Sequence, residues 1–266
     1  MNIFIREMKA YRKSLIIWCI AAIFMVVAGM AKFEALSTSG ESLKDMFSKM
    51  PKTLQALMGG TGSLDMSTVI GYYGMLFIFL LVMAAIHASM LGAGIIAKEE
   101  RDKTAEFLMV KPISRNKIIT SKLAAALVNI IFYNIVTLVS SIAIIEKYNK
   151  GANVNGDILT LMLAMFILQL LFLFLGTCLA SVTKNTKAAV SVTAAIVVFT
   201  YIISVAVDLN DNLGALRYIT PFKYFEAKNV ILNKVFDPVY VILSVVIIAA
   251  LLSVTYVFYK KRDLNI

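Results

Sequence analysis

Titratable side chains are scarce in this sequence, and their scarcity excludes several kinds of chemistry. The 266 residues include one histidine, and the long apolar segments contain no lysine, arginine, aspartate or glutamate. An intramembrane metalloprotease needs several histidine and carboxylate ligands that converge on one metal ion, and a single histidine cannot supply them. A proton-coupled carrier usually buries ionisable groups at membrane depth, and the apolar segments offer no carboxylate for that role.

Two further features of the sequence limit its chemistry. It has no G-x-x-x-x-G-K-[ST] motif, so it lacks the loop that cradles nucleotide phosphates in P-loop enzymes. Both cysteines, Cys19 and Cys178, lie inside apolar segments and therefore say nothing about the redox compartment. We expect a protein that is not an enzyme and binds no metal or cofactor itself, and whose energy comes from a partner.

What the sequence has in abundance is apolar length. Hydrophobic residues make up 60% of the chain and the mean hydropathy is +0.82. Six segments approach or exceed the roughly 20 residues that cross a ~30 Å hydrocarbon core. They are residues 15–31, 69–97, 123–145, 158–182, 188–207 and 239–258. None has the polar face that a water-soluble helix needs. The sequence predicts an all-α integral membrane protein with six transmembrane helices in one domain, residues 1–266.

The charges are distributed unequally between the two sets of loops. Residues 1–14, 98–122, 183–187 and 259–266 together carry 16 Lys/Arg and six acids, whereas the loops of the opposite set carry ten of each. Positively charged loops stay in the cytoplasm. We therefore expect a multi-pass protein of the plasma membrane with both termini cytoplasmic. The net charge of +10 is explained by this topology, so we expect no nucleic-acid partner.

The N-terminal segment allows two interpretations. Residues 1–14 place apolar side chains at helical spacing among basic ones, which is typical of an amphipathic helix that lies among lipid headgroups before the chain turns into the membrane. The alternative is a basic flank that only orients the first span. A signal peptide is disfavoured because the 17-residue apolar run at 15–31 exceeds the 7–15 residues of a typical signal core.

The loops of the opposite set have their own patterns. Apolar residues in 32–68 recur near helical spacing before Gly59-Gly60, which predicts one or two short helices on the outer face. The segment 208–238 mixes polar and aromatic residues around Pro221. It either dips into the membrane and returns, sheltered by protein, or forms a surface loop.

A few polar side chains lie within the predicted spans. They are candidates for a substrate pathway, because polar groups at membrane depth often have functional roles. They are His87, Asn129, Asn134 and Gln169. The alternative, which we favour, is that they form hydrogen bonds between helices, with His87 as a neutral imidazole. Gly92 and Gly94 are expected to let two helices approach closely.

The segment 98–122 is the most unusual part of the sequence. It holds seven Lys/Arg and four Asp/Glu between two apolar spans. We predict a short helix over 103–110, which Pro112 would end because proline restricts the residue before it and lacks a donor. An apolar patch on this helix could fill a groove on a soluble partner, with acidic and basic residues around it as a polar rim. The alternative is a short helix that rests on the bilayer surface.

The same segment resembles the cytoplasmic loop between the second and third spans of ABC-2 type transporter permeases. The resemblance rests on Glu99-Glu100, on Lys103-Thr104-Ala105-Glu106 with Phe107-Leu108, on Pro112-Ile113-Ser114-Arg115 and on Lys122. Lys103 stands where glycine is common in that family, so we expect a less tight turn there. The N-terminal segment, the Pro-aromatic outer segment and the terminal "YKKRDL" fit the family in outline.

This resemblance implies an ATP-driven exporter. It implies a homodimer with the translocation path at its interface and two copies of a separate ABC ATPase subunit, which would bind ATP and Mg²⁺. The implied docking residues are Glu106, Phe107, Leu108, Val110 and Pro112. The alternative is a non-transport membrane protein, such as an assembly or sensor-associated protein, that also docks an ATPase. The substrate does not follow from the resemblance.

Overall fold

The described part of the computed structural model consists of helices and short connections. It comprises residues 2–38, 43–59, 64–104, 113–149, 154–183 and 185–261. The long helices are α1 (Ile3–Thr38), α4 (Val69–Arg101), α5 (Arg115–Tyr148), α6 (Asn155–Val182), α7 (Thr186–Leu209) and α9 (Pro238–Lys261). The shorter ones are α2 (Leu43–Ser48), α3 (Lys52–Leu57), α8 (Ala227–Asn233) and two 3₁₀ segments, Asp211–Tyr218 and Pro221–Lys223.

Six of these helices are long and apolar enough to cross a membrane, which confirms the predicted all-α architecture with six spans. The helices are longer than the predicted spans. The prediction counted only apolar residues, and the helices continue into polar residues at their ends. Two short helices, α2 and α3, lie in the loop 32–68 where the sequence predicts them.

The N-terminal segment differs from its prediction. The expected turn between residues 1–14 and the first span is absent, because α1 is one continuous helix of 36 residues, about 54 Å long at ~1.5 Å per residue. Its buried face runs without interruption from Ile3 through Glu7 and Leu15 to Val26 and Met30. The apolar side of the basic segment therefore packs against the protein, and no proline or glycine interrupts the helix there.

Helices α4 and α6 form the centre of the molecule and make the most extensive helix–helix contact. Two glycines allow this approach. A Cβ on Gly92 would lie 2.2 Å from the Leu173 carbonyl oxygen, and one on Gly176 would lie 2.3 Å from the Ser89 carbonyl oxygen. The prediction for Gly92 is thus confirmed. Gly94 faces the Tyr11 hydroxyl on α1 instead, at 3.2 Å from the position of a Cβ.

The middle of the segment 208–238 packs between the long helices. Thr220 donates a hydrogen bond to the Thr200 carbonyl oxygen on α7 (2.7 Å), nine residues or about 14 Å along the helix from its end at Leu209. The Phe222 ring is buried, with its centroid 5.5 Å from that of Phe172 on α6. Residues 220–225 are therefore sheltered by protein, whereas much of the rest of the segment is exposed, and both interpretations stay open.

Buried polar groups hold this segment in place. The Lys223 ammonium donates to the carboxylates of Asp208 and Glu226. The Tyr224 hydroxyl donates to the Tyr218 carbonyl oxygen. Backbone without regular helical pairing is thus stabilised by side-chain hydrogen bonds, as the interior of a membrane protein requires.

Candidate functional site

A network of charged side chains joins three helices. It lies where α4 ends and α5 begins, within the segment 98–122. Arg6 Nη2 lies 2.7 Å from Glu7 Oε1 and 2.5 Å from Glu99 Oε1. Lys98 Nζ lies 3.1 Å from Glu7 Oε2, and the Lys122 ammonium donates to the second oxygen of Glu99. We call these five residues the charge network. It connects α1, α4 and α5.

The charge network is buried to an unusual degree for ionised groups. Glu7 and Lys122 have no exposed surface, and Glu99 is 5% exposed. Lys122 Nζ also donates to the Ile95 carbonyl oxygen. Buried charges persist only when they are paired and hydrogen-bonded. Each member here therefore depends on the others, and the two ends of the segment 98–122 are held at a fixed separation by Glu99 and Lys122.

The end of α4 is closed by a tight turn. The Thr104 amide donates to the Glu99 carbonyl oxygen (2.8 Å) and the Lys103 amide donates to that of Glu100 (3.2 Å). Lys103 adopts a left-handed conformation, with φ of 53°. These features define a Schellman motif, in which glycine usually occupies the position of Lys103. The expectation of a less tight turn is wrong, because lysine takes the conformation that glycine would adopt.

The start of α5 is fixed as firmly. The Ser114 hydroxyl caps the helix by accepting from the Lys117 amide (3.3 Å), as N-cap residues do. Arg115 Nη1 donates to the Lys260 carbonyl oxygen at the end of α9 (2.9 Å). Thr120 and Tyr256 share a hydrogen bond of 2.8 Å. The Ser-Arg pair of the resemblance thus has a structural reason, since one residue caps α5 and the other ties it to α9.

The five predicted docking residues lie in 105–112, outside the described residues. They are Glu106, Phe107, Leu108, Val110 and Pro112. The described residues on either side of this stretch, Thr104 and Ile113, lie just after the end of α4 at Arg101 and just before the start of α5 at Arg115, and the charge network joins these two helices. Their docking role stays a prediction.

Two of the pathway candidates contact each other. Asn134 Nδ2 on α5 donates to Gln169 Oε1 on α6 and to the Ile130 carbonyl oxygen (3.0 Å). Asn129 Nδ2 donates to the Ala125 carbonyl oxygen (2.8 Å) and lies 3.3 Å from Met8 Sδ on α1. These three residues connect neighbouring helices, as the favoured interpretation expects.

His87 is separate from these three residues. It is 3% exposed, and its ring lies between those of Trp18 and Tyr133, with centroids 5.4 and 5.0 Å away. Among the described residues, Nδ1 of His87 has no hydrogen-bond partner. The interpretation of His87 as a neutral imidazole that is hydrogen-bonded to a neighbouring helix stays a prediction.

None of the five members of the charge network is predicted from the sequence to be buried. They belong to the charged segments 1–14 and 98–122, where side chains usually face water. A signal for Lys122 did exist, because Ile118, Ala125 and Ala126 lie on the same helical face and are all buried.

No metal site is found in the described residues, where no three His, Cys, Asp or Glu side chains lie close enough together to hold an ion. The expectation that the chain binds no metal or cofactor stays a prediction.

Comparisons with known proteins identify the family. Curated proteins provide no match to this chain. A family model described as "ABC-2 family transporter protein" matches residues 1–264, which confirms the resemblance of the segment 98–122. Members of this family are the membrane subunits of transporters and associate with a separate ABC ATPase subunit. The chain belongs to the ABC-2 family of transporter proteins, as a multi-pass membrane subunit for transport.

Proposed function

We propose that this chain is the permease subunit of an ATP-driven exporter in the plasma membrane. Two copies form the translocation path as a homodimer, and each docks one ABC ATPase subunit that binds ATP and Mg²⁺. Residues 1–266 form one membrane domain with both termini in the cytoplasm. The excess of basic residues in the loops on the side of 98–122 supports this orientation.

Docking is proposed to take place on residues 105–112, with Phe107, Leu108 and Val110 as the apolar anchors and Glu106 on the rim. The observation that carries this proposal is the anchoring of the residues on either side of 105–112. The Schellman motif fixes the residues before this stretch and the Ser114 cap fixes those after it. The charge network joins both sides to α1. A docking element held at both ends can transmit force from an ATPase to the spans, whereas a helix that only rests on lipid needs no such anchoring.

The experiment is a paired measurement of ATPase association and transport in the Phe107→Ala variant. Binding energy at interfaces concentrates in a few buried anchors, and Phe107 is the only aromatic residue in 98–122. We expect co-purification of the ATPase to fall at least about tenfold, which corresponds to about 1.4 kcal/mol. Membrane insertion should be unchanged because the spans are intact.

Lys117→Ala is the matched control, since Lys117 is exposed in the first turns of α5. The docking assignment would be wrong if Phe107→Ala bound and coupled like the wild type while Lys117→Ala failed. ATP hydrolysis that never responds to a transported substrate, in a complex that assembles normally, would favour the non-transport alternative.

A further inference from the structure

A cavity of about 160 Å³ lies between α1, α4 and α7, and no member of the charge network lines it. Its wall includes Tyr11 and Trp18 of α1 and His87, Gly94 and Arg101 of α4. We call it the His87 cavity. It extends along α4, since the 14 residues from His87 to Arg101 correspond to about 21 Å of helix.

Two polar atoms in this wall are buried without a partner. His87 Nδ1 and the Tyr11 hydroxyl have no hydrogen bond to any described residue. An unsatisfied buried donor or acceptor costs about 1–3 kcal/mol, so two in one cavity indicate that the space is filled by something able to hydrogen-bond. Both groups are held in place, because the His87 ring lies between two aromatic rings and Gly94 leaves room for the Tyr11 hydroxyl.

The charge on the wall selects the sign of an occupant. Arg101 is the one formally charged side chain that the described wall contains. Its Nε donates to Asp102 (3.0 Å), which uses one of the five guanidinium donors. Lys98 Nζ lies 5.8 Å from the centroid of the Tyr11 ring, but it is paired with Glu7 and adds no net charge. The remaining guanidinium donors of Arg101 suit an acidic group of a ligand and offer nothing to a cation.

The rest of the wall is mostly apolar. Trp18, Met90, Leu91 and Val190 line it, together with one further polar residue, Ser14. The arrangement is therefore a charged end at Arg101, an apolar middle and hydrogen-bonding groups along its length.

We propose that the His87 cavity binds an amphipathic organic anion. Its acidic group meets Arg101, and its apolar body lies against Trp18 and Met90. Tyr11 and His87 offer hydrogen bonds to polar groups or water that enter with it. The ligand chemistry is shared by a fatty acid-like solute and by an anionic phospholipid. The proposal concerns this chain alone and does not depend on ATPase docking.

Trp18 makes the test specific, because it is the only tryptophan in the chain and it lines the cavity. The purified protein, without ATPase, is placed in phosphatidylcholine vesicles, and its fluorescence is measured with 11-bromoundecanoate, whose bromine quenches indole. The matched cationic probe is 11-bromoundecyl-trimethylammonium. We expect saturable quenching by the anion and only a linear, partition-type decrease with the cation.

Variants of the wall should weaken the saturable component. Arg101→Gln is expected to weaken anion binding at least tenfold, and Gly94→Leu, which fills the space beside Tyr11, should abolish it. Arg12→Gln is the control, since it removes an exposed basic residue of α1 that is not in the wall. If Gly94→Leu fails to fold, Arg101→Gln keeps the test decisive because Arg101 is exposed.

A second arm separates the two sources of the ligand. In this arm, part of the phosphatidylcholine is replaced by phosphatidylglycerol. If an anionic lipid fills the cavity, the saturable quenching by 11-bromoundecanoate disappears. If the site prefers a free solute, the saturable quenching remains. Both results support an anion site. Equal quenching by the anionic and cationic probes, or equal binding by wild type, Arg101→Gln and Gly94→Leu, would overturn the proposed anion site. Neither of these results tests ATPase docking through Phe107, so the two proposals can fail separately.

Discussion

At the scale of single residues, Lys103 shows how one side chain can depart from a family pattern without changing the structure. Its left-handed backbone completes the turn that ends α4, with both characteristic hydrogen bonds present. A residue with a Cβ adopts this conformation at a cost of roughly 1–2 kcal/mol, which glycine does not incur. The turn is therefore tight but strained.

Substitution of Lys103 should expose this strain. Lys103 is exposed, so Lys103→Gly removes little packing and is expected to raise the free energy of unfolding by about 1 kcal/mol. Lys103→Val should lower it, because a β-branched residue tolerates positive φ poorly. Thermal unfolding in detergent would measure both.

The control for this prediction is Lys117→Gly, in the first turn of α5, where the backbone is helical and glycine is expected to destabilise by up to about 1 kcal/mol. A loss of stability in Lys103→Gly equal to that in Lys117→Gly would contradict the left-handed turn.

At the scale of helices, the charge network sets the position of α1 and α5 relative to α4. Glu99 accepts from Arg6 of α1 and from Lys122 of α5, so loss of one partner leaves a buried carboxylate with reduced compensation. Breaking a buried ion pair by removing one member typically costs 3–5 kcal/mol.

Lys122→Met is accordingly expected to destabilise the protein by about 3 kcal/mol. The double variant Lys122→Met with Glu99→Leu should recover part of this loss, because it removes the uncompensated carboxylate as well. Chemical or thermal unfolding measures both. Lys117→Met is the control on the same helix and should have little effect, since Lys117 is exposed. Equal effects at positions 117 and 122 would argue against the network.

Much of the architecture could be predicted from the sequence, because a bilayer imposes a minimum apolar length that is visible in the residues. The central place of α4 and α6 was only hinted at by Gly92. The direction of a side chain at the end of a span was harder to predict, since Lys122 could face water or the bundle, and Glu99 and Arg6 decide between these. The segment 208–238 has no regular period, and its place depends on distant contacts such as that between Thr220 and Thr200.

The candidate site was predicted unevenly for similar reasons. The residue pattern of 98–122 identified the family, whereas the charge network came from three separate parts of the chain. The unpartnered nitrogen of His87 is a property of packing, because the rings of Trp18 and Tyr133 surround it. The residue pattern of one helix does not show which groups on other helices lie within hydrogen-bonding distance.

At the scale of the whole molecule, the central claim is that this ABC-2 family chain docks an ATPase through residues 105–112 on its cytoplasmic side. The charge asymmetry supports the proposed side, and the anchored ends of α4 and α5 support the proposed place. If the claim holds, a partner on that side contacts position 107. It cannot reach position 49, which lies in the loop 32–68 of the opposite set, so one experiment can compare the two positions.

The most direct measurement is site-specific photo-crosslinking in native membranes, with p-benzoylphenylalanine in place of Phe107 or of Lys49. The account predicts that position 107 crosslinks to a subunit that carries a P-loop ATPase motif, and that position 49 does not. Crosslinks from position 107 to lipid alone would contradict docking and support a helix that rests on the bilayer. Capture of the ATPase from position 49 would contradict the proposed orientation.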